Sequence, residues 1–137
     1  MILGIGQDTV DIRRIERTLN NHGDRFIHRV FTEGEIAKAK SRSLDGKNNS
    51  QAATYAKRFA AKEACAKAMG TGIGSGVYWK DFEVVNLPSG KPTMRLSDRA
   101  MKLIRQYIYQ GEGEIIIHLT LGDEYPNATA LVILEQR

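Results

Sequence analysis

The sequence predicts an α+β fold, a largely antiparallel sheet packed against helices, formed as one domain over residues 1–137. Three observations carry this prediction. Residues 51–69 are rich in alanine and have the period of a long, buried helix. Apolar runs at residues 82–87 and 92–96, and again at 115–121 and 128–134, come in pairs joined by turn chemistry, as antiparallel strands do. Helix-like and strand-like segments follow in mixed order, without the regular alternation of a parallel α/β sheet. A chain of 137 residues is the size of one domain and buries roughly two thirds of the surface it exposes unfolded, so it needs no staple.

In chain order, residues 1–5 are short and apolar, end at Gly4-Ile5-Gly6, and read as a buried strand. Residues 11–21 place Ile12, Ile15 and Leu19 at helical spacing, Asp11 is the N-cap, and His22-Gly23 stops the helix. Thr32 with Glu35 three residues on is a capping box, so a helix begins there. Residues 44–50 form a polar loop. The long helix follows, with Ser50 able to cap its start and Gly70 its end. Gly70, Gly72, Gly74 and Gly76 make a flexible segment. Pro88-Ser89-Gly90-Lys91 turns the hairpin, Ser97 caps a helix to about residue 109, and a turn at residues 123–127 joins the last two strands.

Composition narrows the function. No apolar run reaches the roughly 20 residues of a membrane span, and the N-terminus lacks a basic region, so neither a membrane anchor nor a signal peptide is expected. The single cysteine, Cys65, cannot form an intrachain disulfide, which fits the reducing cytoplasm. The formal net charge of +4 favours an acidic partner. Nucleic acid is disfavoured, because aromatics are only 7% and do not interleave with basic residues.

The long helix carries an anomaly. Ala52, Ala56, Phe59, Glu63 and Ala66 recur at spacings of three and four, so Glu63 interrupts an apolar stripe. A carboxylate there must be paired, neutralised or bound to a cation. Lys67, at i+4, offers a helical ion pair; the alternative is a metal held by Glu63 while basic residues meet phosphates. Asp8, after the first strand and two glycines, is the best second carboxylate, its ordinary alternative being an N-cap or turn residue. Gly4-x-Gly6 is not a dinucleotide fingerprint, since no third glycine follows, and no Walker loop is present.

These stretches resemble one family. Gly4-Ile5-Gly6-Gln7-Asp8 with Val10 and Ile12 matches its opening; Arg25-Phe26, Arg29 and Phe31-Thr32-x-x-Glu35 match its next segment. Arg58-Phe59-Ala60-Ala61-Lys62-Glu63-Ala64, then Lys67-Ala68 and Gly70-Thr71-Gly72-Ile73, match its central signature, and Gly90-Lys91-Pro92 and His118-x-Thr120 continue it. The resemblance is to the holo-acyl-carrier-protein synthases, the small phosphopantetheinyl transferases of bacterial fatty-acid synthesis. It implies transfer of 4'-phosphopantetheine from coenzyme A to a serine of an acidic acyl carrier protein. It implies magnesium, with manganese an alternative, held by Asp8 and Glu63, and Lys67 beside the reacting phosphate. It implies cofactor contacts from Arg58, Lys62, Gly70, Gly72, Lys91, Pro92, His118 and Thr120. Arg13, Arg14, Arg17, Arg25 and Phe26 fall in the segment that grips the carrier. It also implies a homotrimer with sites between subunits. Glu63, Lys67 and a metal-bound water are the candidate proton acceptors. The chain departs from the pattern at Asp123, where the family often has a second histidine.

Overall fold

A computed structural model describes residues 1–43 and 50–137. The polar loop expected at residues 44–50 lies outside the described residues except at its last position. The chain runs through strand β1 (Ile2–Asp11), helices α1 (Ile12–Val30), α2 (Glu33–Ser43) and α3 (Ser50–Met69), a 3-10 turn (Trp79–Asp81), strands β2 (Phe82–Asn86) and β3 (Pro92–Leu96), helix α4 (Asp98–Leu103), a π turn (Ile104–Ile108), and strands β4 (Ile115–Glu124) and β5 (Asn127–Gln136). The strands form an antiparallel sheet of order β1-β5-β4 and a separate β2-β3 hairpin. The α+β expectation holds.

β1 is twice as long as expected and is an edge strand, because alternation continues past Ile5: Gly6 and Val10 face inward while Gln7 and Thr9 face out. Asp8 therefore sits within the strand, not beyond its end. Its inward face is unusual in having almost no side chains. A Cβ on Gly4 would stand 2.0 Å from the carbonyl oxygen of Ala68, and one on Gly6 would stand 1.8 Å from that of Ala64. The two glycines exist to let α3 lie directly on β1. The register is nearly commensurate, since two strand residues advance about 6.8 Å and four helix residues about 6 Å. The next inward position after Gly4 and Gly6 is Asp8, which is thus delivered to the same helix. Gly6→Ala should destabilise the fold by about 3 kcal/mol or more, as backbone cannot yield like a side chain; a denaturation midpoint close to wild type would show that α3 can move away.

Asp11 caps α1 as expected, accepting from the Arg13 backbone amide at 2.9 Å and pairing with its guanidinium at 2.8 Å. That side-chain hydrogen bond, the largest influence, pulls the Asp11 carboxyl from 3.8 to about 2. Because the folded value is depressed, the stabilisation is complete above pH 3.8 and fades as pH falls through about 2. Asp11→Asn keeps a cap but should flatten this part of the acid profile of the thermal midpoint. The stop predicted at His22-Gly23 is a break in α1, where His22 leaves the helical region at φ −139°, ψ 23°, and a second helical segment continues to Val30. Burial of Ile27 and Val30 holds that second segment against the core. The Thr32/Glu35 capping box forms, with both reciprocal bonds present. α3 ends at Gly70, at φ +78°, where the amides of Thr71 and Gly72 both return to the Ala66 carbonyl. Ser97 caps α4 through the Ala100 amide, but the helix expected to reach residue 109 loosens after Leu103 into a π turn closed by Tyr109 N–H to the Ile104 carbonyl.

Candidate active site

α3 covers the inner face of the sheet, and its stripe of Ala52, Ala56, Phe59 and Ala66 is buried, with Glu63 half-buried among them. Burial, then the charge of Asp8, raises the Glu63 carboxyl above its ordinary value, while Lys67 and Arg14 act in the opposite sense. Asp8, Glu63, Lys67 and Arg14 thus form one electrostatic cluster drawn from β1, α3 and α1. The helical ion pair between Glu63 and Lys67 does not form. Lys67 instead reaches across to β1, with Nζ 2.9 Å from Asp8 Oδ1 and 3.0 Å from the Gln7 carbonyl oxygen. Across-helix reach wins because Asp8 stands at the close β1–α3 contact made by the glycines. Glu63 keeps its carboxylate without an ion pair among the described residues, next to a second acid.

Two neighbouring carboxylates in a partly desolvated position repel, and a dication relieves that repulsion. Their hard oxygen donors suit magnesium, which takes one or two carboxylates and completes its shell with water and phosphate oxygens. No group of three or more His, Cys, Asp or Glu side chains that could hold a metal occurs among the described residues, so a site built wholly from protein ligands is not formed there.

Two residues expected to meet cofactor phosphates point elsewhere. Lys62 is fully buried. Its ammonium lies 2.7 Å from Glu35 Oε1 and donates to the carbonyls of Trp79 at 3.0 Å and Phe82 at 2.5 Å. Glu35 Oε2 in turn accepts from the Val84 amide at 2.9 Å. Burial drives the Lys62 ammonium downward in basicity, opposed by Glu35. Arg58, one turn earlier, is 3% exposed and donates to Asn86 Oδ1 at 3.2 Å; burial lowers it also. Both sit on the flank of α3 that packs towards the β2-β3 hairpin. The spacing placed them correctly beside Glu63 on the helix, but only packing decides that this flank faces inward.

The remaining expected cofactor residues converge. Lys91 and Pro92 at the start of β3, with His118 and Thr120 of β4, line one cavity of about 320 Å³ together with Leu131 and Ile133 of β5. His118 pairs with Glu135 of β5, Nε2 to Oε1 at 2.9 Å. Asp123, the departure from the family pattern, pairs at 2.9 Å with Lys57, so it joins the end of β4 to α3. Sequence reading gave no hint of that partner, which is distant in the chain.

Strand register separates these residues from the acids. On β5, Ile133 is aligned with Ile5 of β1 and His118 of β4, and Leu131 with Gln7 and Thr120, so all share the outer face. Asp8 is aligned with Ala130, on the inner face under α3. Gly70 and Gly72 adopt positive φ after α3. Of the residues expected to grip a carrier, Arg13, Arg14, Arg17 and Arg25 are exposed on α1, although Arg13 is engaged by Asp11. Arg14 lies over the Phe59 ring at 5.9 Å, and Phe26 packs edge-on to Phe31 and beside Phe59.

A strand and a helix held together by two glycines, an acid pair between them and a basic cavity on the far sheet face define a known class. The chain belongs to the 4'-phosphopantetheinyl transferase superfamily, whose model matches residues 4–126. It is 54% identical over 135 residues to the holo-[acyl-carrier-protein] synthase of Chelativorans sp. (strain BNC1) and 55% identical to that of Rhizobium leguminosarum bv. trifolii, in each case covering 98% of this chain and 96% of the relative. Among solved structures, a holo-[acyl-carrier-protein] synthase from Neisseria meningitidis superposes with a TM-score of 0.80 at 34% identity, covering 98% and 99% of the two chains. One from Bacillus anthracis, in complex with CoA (3',5'-ADP), gives 0.78 at 38% identity, covering 100% and 99%. The chain is thus an enzyme, a transferase of the holo-[acyl-carrier-protein] synthase type, as the resemblance implied. No helix among the described residues is long and apolar enough to cross a membrane.

Proposed function

We propose that this chain, as a single domain over residues 1–137, transfers 4'-phosphopantetheine from coenzyme A to a serine of an apo acyl carrier protein, in the cytoplasm and in support of fatty-acid synthesis. The observation that carries the reading is the division of one set of residues between two sheet faces. The acids and Lys67 lie where α3 meets β1 on the inner face, and the cavity of Lys91, Pro92, His118 and Thr120 lies on the outer face. A ligand with both a nucleotide and a reacting pyrophosphate would meet both only if a second copy supplied one half. Exposed Ile5, at 60%, and Leu131 on the same outer face supply apolar surface for that contact. We therefore read the active unit as an assembly with sites between copies, and take its homotrimeric form from the family resemblance alone.

In the reaction, the serine oxygen forms a bond to the β-phosphorus, the bond to the bridging oxygen breaks, and adenosine 3',5'-bisphosphate leaves while the serine proton passes to a base. Asp8 and Glu63 would hold magnesium, which would supply neutralisation of the pyrophosphate charge when bound. Lys67, fixed by Asp8 and the Gln7 carbonyl, holds a positive charge where negative charge builds on the phosphate oxygens. The exposed arginines of α1, Arg14, Arg17 and Arg25, face an acidic carrier helix and set its register. Phe26 offers it an apolar contact.

Intact mass measurement of an apo acyl carrier protein incubated with this enzyme and coenzyme A should show a magnesium-dependent gain of one phosphopantetheine. No gain would refute the function. Mixing an inactive Glu63→Gln preparation with a His118→Ala preparation of weakened coenzyme A binding, assayed at limiting coenzyme A, tests the shared site. Subunit exchange should restore part of the activity, because a mixed interface pairs an intact acid half with an intact cavity half. Absence of any recovery after verified exchange would place both halves in one chain.

A further inference from the structure

We propose that Glu135 is a positioning residue for coenzyme A binding: it holds the His118 ring in one orientation, with the ring's other nitrogen turned to the outer-face cavity where a phosphate would lie. This rests on the functional reading above and deepens it. His118 lies 44% exposed on β4, and its Nε2 is 2.9 Å from Glu135 Oε1 on β5. The two positions are diagonal neighbours on one sheet face, since His118 is aligned with Ile133 and Glu135 follows two residues later. With Nε2 committed to the carboxylate, Nδ1 is the nitrogen left to the cavity that His118 lines.

A carboxylate bonded to one ring nitrogen fixes the ring's orientation. Lys91 and Thr120 line the same cavity. The other charged groups around the pair are Arg137, with Nε 3.3 Å from Glu135 Oε1, and the Met1 amine, which donates to the Gln136 carbonyl at 2.9 Å. The oriented His118 ring, the Lys91 ammonium and the Thr120 hydroxyl together make a polar set suited to a phosphate group. Without Glu135 the ring can rotate out of that orientation. Glu135 itself need not touch the nucleotide.

The test is a double-mutant cycle on the full-length enzyme with steady-state kinetics in both substrates. Glu135→Gln keeps the shape but removes the charge. It should raise KM for coenzyme A roughly tenfold, the low end of what partners of a ligating histidine contribute, and leave KM for the carrier protein alone. In a His118→Ala background the same substitution should add nothing, because Glu135 acts through the ring. An unchanged KM for coenzyme A in Glu135→Gln, or a full additional loss in the His118→Ala background, overturns the proposal. Equal weakening towards both substrates would assign Glu135 a merely structural role and also overturn it. A wild-type enzyme that binds no coenzyme A would instead overturn the functional reading on which this one stands.

Discussion

Glu63→Gln is expected to abolish magnesium-dependent transfer, by roughly a hundredfold or more, while leaving the protein folded. The size follows from removing a preorganised charge at the point where phosphate charge is stabilised, which typically costs 10²–10³ in rate. The side chain is half-buried, carries no ion pair among the described residues and faces Asp8. Its carboxyl is raised by burial first and by Asp8 second. A group whose folded pKa is raised stabilises the fold only when protonated, so the ionised form opposes folding at neutral pH. The neutral amide removes that opposition. The variant should therefore melt no lower than wild type without metal, and should lose the upward shift that magnesium gives the wild type. Turnover and a magnesium-dependent thermal shift are the two measurements. Near-normal turnover would remove Glu63 from the metal site.

Lys62→Met should be the most destabilising single change on α3, by about 3–5 kcal/mol, because it strands Glu35 as an unpaired buried charge. Both side chains are fully buried, at 2.7 Å, and together they bind the start of α2, the middle of α3 and the start of β2. Denaturant unfolding should show a lower midpoint with an unchanged slope. Adding Glu35→Gln should restore part of the loss, since no uncompensated charge remains and the amide oxygen still accepts one backbone bond. A single variant as stable as wild type would mean that the Lys62–Glu35 pair contributes nothing net to the fold. A double variant less stable than the single would mean that the Glu35 backbone contacts outweigh the ion pair.

The secondary structure was legible where local chemistry decides it. Asp11, Ser97 and the Thr32/Glu35 capping box mark their helix starts in sequence and in space. The alanine helix, the hairpin about Gly90 and the closing strand pair also followed from pattern alone. What failed were extents that packing decides: a second helical segment follows the break at His22 because Ile27 and Val30 are buried, and β1 extends to Asp11 because β5 offers a ladder along its whole length.

By itself the sequence showed that Glu63 is an acid out of place with a basic edge beside it, and offered Asp8 as the best second carboxylate. The first of these needs only helical period and the cost of burying charge. The tertiary structure alone decided where the basic residues of α3 point. Lys67 turns to Asp8 rather than to Glu63, and Lys62 turns inward to Glu35, because the bare faces of Gly4 and Gly6 let α3 settle onto β1 and fix its roll. It alone also put His118 and Thr120 on the sheet face opposite Asp8. That follows from strand register, in which a shift of one residue exchanges the two faces, and no single strand's sequence states its register against a partner elsewhere in the chain.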